Sequence, residues 1–175
     1  DLSATLQKID TTDYGYEQLN AGEQVSPEYI NKRDLTAADL EEYLIKGIWY
    51  FDKRQGELKY RLLGIAPRAP DVNFIDDENM DQEENKVALF WVWYPSARQV
   101  LHEAKVFNQR NSAQPISFDM LLNARRFNAV IYKEDNVYGD RQIKDYISDN
   151  ALFQLLESKR IKETIRDKEQ DMWSY

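Results

Sequence analysis

The chain has 175 residues, of which 42% are hydrophobic and 31% are charged, a composition typical of one globular domain. Its formal net charge of −8 disfavours binding to nucleic acid and to anionic membrane surfaces, and no Lys/Arg-rich block marks a local exception. Cysteine is absent, which excludes thiol catalysis, cysteine-based metal sites and disulfides. No apolar run approaches the ~20 residues of a direct membrane span.

We predict an N-terminal flank, residues 1–32, that is flexible or docked, followed by a single α+β core domain, residues 33–175. The flank is polar, and glycine and proline interrupt any hydrophobic period in it. Tyr14 and Tyr16 stand there in polar surroundings, so we take them as candidate interface residues. The sequence begins at Asp1 and not at Met, and we therefore expect a trimmed fragment.

The stretch Leu35–Ile45 predicts the first helix of the core domain. Thr36 is its N-cap candidate, and Asp39 follows three residues later as an acidic variant of the capping box. Its buried face is predicted to consist of Leu40, Tyr43 and Leu44.

A hairpin over residues 48–65 is predicted next, with Gly56 in its loop because glycine adopts the positive φ that such loops need. Pro67 and Pro70 are expected to end its second strand. Residues 87–94 predict a central strand that is apolar on both faces and therefore covered on both.

Three further helices are predicted in the second half of the chain. One runs from residue 95 to about 102, and another, capped by Ser117, runs from 118 to about 126. The longest spans residues 149–171, with a first apolar face made of Leu152, Leu155 and Leu156. We therefore predict the α+β class, with a mainly antiparallel sheet, several packed helices and a long C-terminal helix.

No residue pattern in the chain predicts a metal site. His102 is the only histidine, and Val106 stands where a zinc-protease helix needs its second histidine. The acidic stretch 76–84 begins like a calcium loop but has Gln82 in place of the turn glycine and Ala88 in place of the bidentate glutamate. We expect a solvated acidic loop there.

Catalytic motifs are equally lacking. There is no serine nucleophile elbow and no Gly-rich phosphate loop. The 31 Asp and Glu residues offer many carboxylate pairs for glycoside hydrolysis, but nothing in the sequence selects one. The residues alone therefore predict no catalytic residue, no cofactor and no metal, and they leave the function open.

Seven blocks of the sequence stand out together: Gly47–Pro70, Leu89–Pro95, Glu103–Asn108, Phe118–Asp119, Tyr132–Tyr138, Leu155–Ile161 and Asp171–Tyr175. In this order they resemble the GldN/PorN family of the type IX secretion system. The resemblance covers about residues 30–175, and the neighbourhood of Gly47 is more similar to Flavobacterium-type GldN members.

The resemblance implies a periplasmic structural component of the protein secretion and gliding motility machinery, and no enzyme. It implies a ring complex with the outer-membrane lipoprotein GldK/PorK, self-association in that ring through the lipoprotein, and a possible contact with the GldM/PorM periplasmic motor shaft. Members of the family carry a signal peptide and an N-terminal segment, and from the resemblance we expect this sequence to be a fragment without them.

The charged second half of the last helix, with Trp173 and Tyr175 beyond it, is the predicted interface of this component. The alternative is that this tail packs against its own domain. A second function stays open as well, a periplasmic hydrolase acting on cell-wall glycan. That activity would require two carboxylates facing each other across a cleft, roughly 5 to 9 Å apart.

Overall fold

The computed structural model describes residues 5–75, 85–108, 113–148 and 150–172. Internal contacts divide the chain into two units, each built from two separate stretches. The first unit comprises residues 1–48 and 62–99, and the second comprises residues 49–61 and 100–175. The acidic stretch 76–84 and the residues Trp173 and Tyr175 lie outside the described residues. The division into a flank and one core domain remains a prediction.

The first unit begins with regular structure where an irregular flank was expected. Strand β1, Gln7–Thr11, pairs antiparallel with strand β2, Ile30–Asp34, and helix α1, Asp13–Asn20, lies between them in sequence. Gly15 of α1 is buried, and a Cβ atom on it would lie only 2.4 Å from the Thr11 side chain. Glycine at this position therefore lets α1 pack closely against β1.

The predicted helix over Leu35–Ile45 is wrong. The capping box between Thr36 and Asp39 does form, but only a short 3₁₀ turn, Ala37–Asp39, follows it. Strand β3 then runs over Glu42–Asp52, because its β-branched and aromatic residues favour an extended backbone paired with the next strand. Leu40, Tyr43 and Leu44 consequently share no helical face, and Tyr43 is exposed.

The predicted hairpin is confirmed, and both of its strands are longer than expected. Strand β4, Glu57–Pro70, is the neighbour of β3 in the sheet, and Gly56 has the predicted positive φ of 67°. Pro67 lies within β4, whereas Pro70 is the last residue of the strand, so only Pro70 ends it as predicted. Pro67 has no N–H to donate, but its carbonyl oxygen accepts a hydrogen bond from the Leu89 N–H at 3.1 Å, so pairing continues past it.

The predicted central strand over residues 87–94 is interrupted, and its double coverage is wrong. Strands β5, Lys86–Ala88, and β6, Val92–Trp93, pair separately with β4. Their registers show that three residues, 89–91, face only two residues of β4, which is the geometry of a bulge. The extra residue disrupts the alternation of side chains, so four large apolar residues of the segment are exposed, namely Val87, Phe90, Trp91 and Trp93.

The core of the first unit lies along β4 and the segments that pair with it. It also buries a charge. The Lys86 side chain is 3% exposed, and its Nζ atom lies 2.7 Å from a Glu41 carboxylate oxygen and 3.6 Å from one of Glu42. A buried ammonium group needs carboxylate partners of this kind, because an uncompensated charge in the interior destabilises the folded state. The buried apolar residues are Leu62, Ala66, Ala69, Val72, Leu89 and Tyr94.

Helix α2, Tyr94–Glu103, confirms the helix predicted to start at Pro95. In the second unit, strands β7, Lys105–Val106, and β8, Ile116–Ser117, form a short antiparallel pair. Three helices follow: α3, Phe118–Asn123, α4, Ile143–Tyr146, and α5, Ala151–Met172. Ser117 caps α3 as predicted, since its Oγ atom accepts a hydrogen bond from the Met120 N–H.

Helix α5 is the long C-terminal helix that the sequence predicts, but it is rotated about its own axis so that a different side faces the rest of the unit. Leu152, Leu155 and Leu156 are exposed, and the buried residues of the helix are Ser158 and Ile161. The leucines do form an apolar face, but this face is exposed and does not pack against the rest of the unit. Polar side chains of the helix fix the observed rotation through hydrogen bonds to neighbouring backbone.

These antiparallel sheets, with helices that include a long C-terminal one, confirm the α+β class. None of the helices in the described part of the chain combines the length and the apolar character that crossing a bilayer requires.

Candidate interaction surface

One serine and one histidine lie close enough to suggest a catalytic pair. The Ser117 Oγ atom is 3.4 Å from His102 Nδ1. Ser117 is only 1% exposed, however, and its Oγ atom already caps α3. A nucleophile must reach its substrate, so this pair serves to join α2 to the start of α3 and does not supply a hydrolase site.

The described residues hold no cluster of side chains suited to a metal ion, and the depression over β1 and β2 does not pair two carboxylates. Among the described residues, no three His, Asp or Glu side chains are grouped to hold a metal ion. An open depression of about 170 Å³ lies over β1 and β2. Its lining contains one carboxylate, so it does not provide a facing pair: the residues are Lys8, Asp10, Asn31, Lys32 and Arg33.

The first turns of α5 display an apolar surface, which we call the α5 patch: Leu152, Phe153, Leu155 and Leu156. Each of these side chains is more than half exposed. By helical geometry, Leu152 and Leu156 lie on the side of α5 that is turned away from the buried Ile161. The patch is therefore available to another molecule.

The rotation of α5 is set by hydrogen bonds from polar side chains to neighbouring backbone. Gln154 Nε2 donates to the Ile147 carbonyl oxygen at 2.7 Å. The Ser158 Oγ atom accepts from the Ile131 N–H at 2.8 Å. Buried backbone groups need such partners, so the polar side of α5 faces the unit and the α5 patch faces away.

A small network joins α4 to α5. The Tyr146 hydroxyl donates to Glu157 Oε1 at 3.2 Å, and Arg160 donates two hydrogen bonds to the Glu157 carboxylate at 2.6 and 2.8 Å. The Arg160 guanidinium thereby lowers the pKa of Glu157. Burial, and after it the charge of Glu157, raises the pKa of Tyr146. The network fixes α4 against the side of α5.

The 134–141 loop, just before α4, is held by its own side chains. Asp140 Oδ1 accepts a hydrogen bond from the Asn136 N–H, and Asn136 Oδ1 accepts one from the Tyr138 N–H, both at 2.9 Å. Gly139 and Asp140 have positive φ angles of 76° and 53°, which complete the turn. At the tip, Val137 is 91% exposed and Tyr138 is 70% exposed.

Arg141 orients the aromatic ring at this tip. Its guanidinium carbon lies 4.9 Å from the ring centre of Tyr138 and 4.6 Å from that of Tyr146. Such cation–π contacts stabilise the arrangement by about 0.5–1 kcal/mol at exposed sites. Through Tyr146 the loop is joined to the network on α5.

A second arginine contacts two rings, in what we call the Arg125 clamp: Trp49, Tyr60 and Arg125. The guanidinium carbon is 4.8 Å from the Trp49 ring centre and 5.7 Å from that of Tyr60, and the two rings are 5.3 Å apart. Burial raises the pKa of Tyr60, and the Arg125 charge opposes that rise. The clamp fixes the end of α3 against the hairpin strands.

Of the four interface residues predicted from the sequence, the structure describes Tyr14 and Tyr16. Tyr14 and Tyr16 are exposed on α1, and the Tyr14 ring lies 6.1 Å from the ring of Tyr29. Trp173 and Tyr175 are outside the described residues. Their role as contacts remains a prediction. The residues Asn136, Gly139 and Asp140 favour tight turns and indicate a loop over 136–140, but nothing in the sequence selects its tip as a contact.

The fold is of the α+β class, and it holds several apolar and aromatic side chains exposed on ordered elements. The family model of the gliding motility associated protein GldN matches residues 2–174 of the chain. The chain therefore belongs to the GldN family, whose members are structural components of gliding motility. A search of curated proteins and a search of solved structures returned no match.

Proposed function

We propose that the chain is a periplasmic structural component of the type IX protein secretion and gliding motility machinery. In this role it binds the outer-membrane lipoprotein GldK/PorK and is assembled by it into a ring, with the GldM/PorM motor shaft as a possible further contact. The observation that carries the proposal is the match of the GldN family model to residues 2–174.

The α5 patch supports a role in assembly. Contiguous exposed apolar surface on a folded protein usually marks a binding site, because leaving it in water is unfavourable. The four side chains of the patch lie within five consecutive positions of one helix, so they form a single area. We assign this area to the contact with the lipoprotein.

The charge of the chain favours assembly through a partner. At a net charge of −8, copies of the chain repel one another at low ionic strength. A ring of identical units needs contacts that close on themselves. A lipoprotein that binds each copy provides such contacts without requiring the acidic chains to associate directly.

Size-exclusion chromatography with light scattering tests the proposal, using the full chain with and without its cognate lipoprotein. We expect the chain alone to elute as a small species and the mixture to elute as a much larger one that contains both proteins. Cell fractionation gives a second measurement, in which the protein leaves the outer-membrane fraction when the lipoprotein gene is deleted. A mixture that elutes as two separate proteins at about 100 μM, far above ordinary assembly affinities, would overturn the proposal.

A further inference from the structure

We propose that the 134–141 loop is a preformed anchor, whose tip residues Val137 and Tyr138 insert into an apolar pocket with a basic rim on a protein partner. The inference rests on the proposed function, because it takes the lipoprotein as that partner. It goes further by naming the inserting segment and the chemistry of the surface that receives it.

The first step of the argument is the rigidity of the loop. Its backbone is held by hydrogen bonds from Asn136 N–H to Asp140 and from Tyr138 N–H to Asn136. At its base, Lys133 forms a bridge with Gln142, and the Ile143 N–H donates to the Tyr132 carbonyl oxygen at 2.9 Å. A loop that is already ordered loses less conformational entropy when it binds, and this strengthens binding.

The second step is what the loop presents. Val137 is 91% exposed, so its apolar side chain contributes almost nothing to packing within its own chain. Tyr138 is 70% exposed, and Arg141 contacts its ring and orients it. Tyrosine is among the residues that dominate binding energy in interfaces, especially when it enters a desolvated pocket. Val137 and Tyr138 therefore form a short apolar projection.

The third step is the charge around the projection. Glu134 and Asp135 are exposed on the approach to the tip, and Asp140 follows it. Arg141 contacts two tyrosine rings, and Lys133 stands at the edge of the loop. Glu134 interacts electrostatically with Arg160 of α5, so Asp135 is the acid that the unit leaves most open to a partner. The side of the loop that leads to the tip is acidic, so a pocket with Lys or Arg at its rim complements it.

The fourth step is the attachment of the loop to the α5 side of the unit. Arg141 contacts both Tyr138 in the loop and Tyr146 in α4, and the Tyr146 hydroxyl donates to Glu157 of α5. These contacts attach the tip to α5 through side chains that are already in place. The anchor therefore acts as part of the folded unit.

Binding of the full chain to the cognate lipoprotein, measured by biolayer interferometry, tests the anchor. We expect Val137→Asp to weaken the affinity at least about tenfold, because a carboxylate would enter an apolar pocket. Asp140→Ala keeps both tip side chains but removes the hydrogen bond to Asn136, and we expect it to weaken the affinity by a smaller factor, about threefold to tenfold. Val100→Asp is the matched control, since Val100 is an exposed valine on α2.

Charge reversal tests the basic rim. We expect the double variant Glu134→Lys/Asp135→Lys to bind more weakly than the wild type. The loss of affinity should be larger at 50 mM salt than at 300 mM salt, because salt screens the charges. Thermal unfolding of each variant shows whether the fold is retained, as we expect for exposed positions.

The outcomes separate the two proposals. If the wild-type chain does not bind the lipoprotein, the proposed function is wrong. If the wild-type chain binds and folded Val137→Asp binds equally well, the anchor is wrong and the proposed function stands. A loss confined to the loop variants, with Val100→Asp unaffected, supports the anchor.

Discussion

Arg125 occupies a position at which helices usually end with glycine. It follows the last turn of α3 with a φ angle of 52°, its N–H donates to the Leu122 carbonyl oxygen, and the Arg126 N–H donates to that of Leu121. This is the pattern of a Schellman C-cap, in which the left-handed residue costs about 1 kcal/mol when it is not glycine. The contacts of the Arg125 clamp offset that cost.

Two substitutions at Arg125 separate the backbone strain from the ring contacts. Arg125→Ala keeps the strain and loses the cation–π contacts, so we expect the free energy of unfolding to fall by about 1 kcal/mol. Arg125→Gly loses the contacts but removes the strain, and we expect a change within about 0.5 kcal/mol of the wild type. Urea unfolding measures both, and equal effects of alanine and glycine would contradict this account.

Glu157 contributes to the stability of the folded state at neutral pH, and this contribution is lost as the pH is lowered. Its pKa is lowered in the folded protein by the hydrogen bonds from Arg160, so the folded state binds its proton less tightly than the unfolded chain does. The contribution of this ion pair is therefore present above the unfolded-state pKa, about 4.3, and is lost as the pH falls through the lower folded-state value.

We therefore expect the stability difference between the wild type and Glu157→Gln to shrink as the pH is lowered from about 6 to about 3. The difference at pH 6 should be a few tenths to about 1 kcal/mol, which is the range of ion pairs near the surface. Urea unfolding at several pH values measures it. A difference that stays constant over this range would show that the Glu157–Arg160 pair does not stabilise the folded state.

At the scale of elements, α5 shows the limit of periodicity as a guide. Its existence and its length follow from the sequence, and the observed helix, Ala151–Met172, differs from the predicted bounds by two residues at the start and one at the end. Its rotation does not follow, because leucines at helical spacing indicate an apolar face without indicating what covers it. Hydrogen bonds made by Gln154 and Ser158 decide the rotation, and neither partner, Ile147 nor Ile131, belongs to the helix itself.

Because of the rotation of α5, substitutions of its buried and of its exposed apolar residues should have very different effects on the free energy of unfolding. Ile161→Ala is expected to lower the free energy of unfolding by about 2–4 kcal/mol, because Ile161 is buried. Leu152→Gln with Leu156→Gln is expected to change it by less than about 0.5 kcal/mol for each substitution, because both side chains are exposed.

The same double glutamine variant should weaken binding to the lipoprotein, whereas Leu19→Gln, at an exposed leucine of α1, should not. Urea unfolding and biolayer interferometry give the two measurements. A much lower free energy of unfolding for the double variant than for the wild type would show that Leu152 and Leu156 are buried, which contradicts the rotation of α5 described above.

The strands illustrate the same limit in another way. Aromatic and β-branched residues in Glu42–Asp52 compete with a good helix start at Thr36, and pairing with β4 decides in favour of the strand. The apolar run 87–94 predicts one continuous strand, whereas the structure has two short strands separated by a bulge at 89–91. The bulge depends on how the segment pairs with β4, which the local sequence does not indicate. Pairing partners that are distant in sequence are invisible to local patterns.

At the scale of the whole molecule, the α+β class, the hairpin and the long last helix could be predicted from the sequence. The family could be predicted as well, and the match over residues 2–174 bears it out. The candidate contact surfaces could not, since an interface has no fixed spacing of residue types comparable to a metal or phosphate motif. Only the fold reveals that the leucines of α5 and the tip of the 134–141 loop face outward.

The order already present in the 134–141 loop has a kinetic consequence. Because its hydrogen bonds hold Val137 and Tyr138 in place in the free chain, an encounter with a partner requires no slow rearrangement of this segment. The rate of association is then governed by diffusion and mutual orientation, which differ little among variants of one surface. Substitutions at the tip should act mainly on the lifetime of the complex, so the strength of the assembly is adjusted by how slowly a subunit leaves.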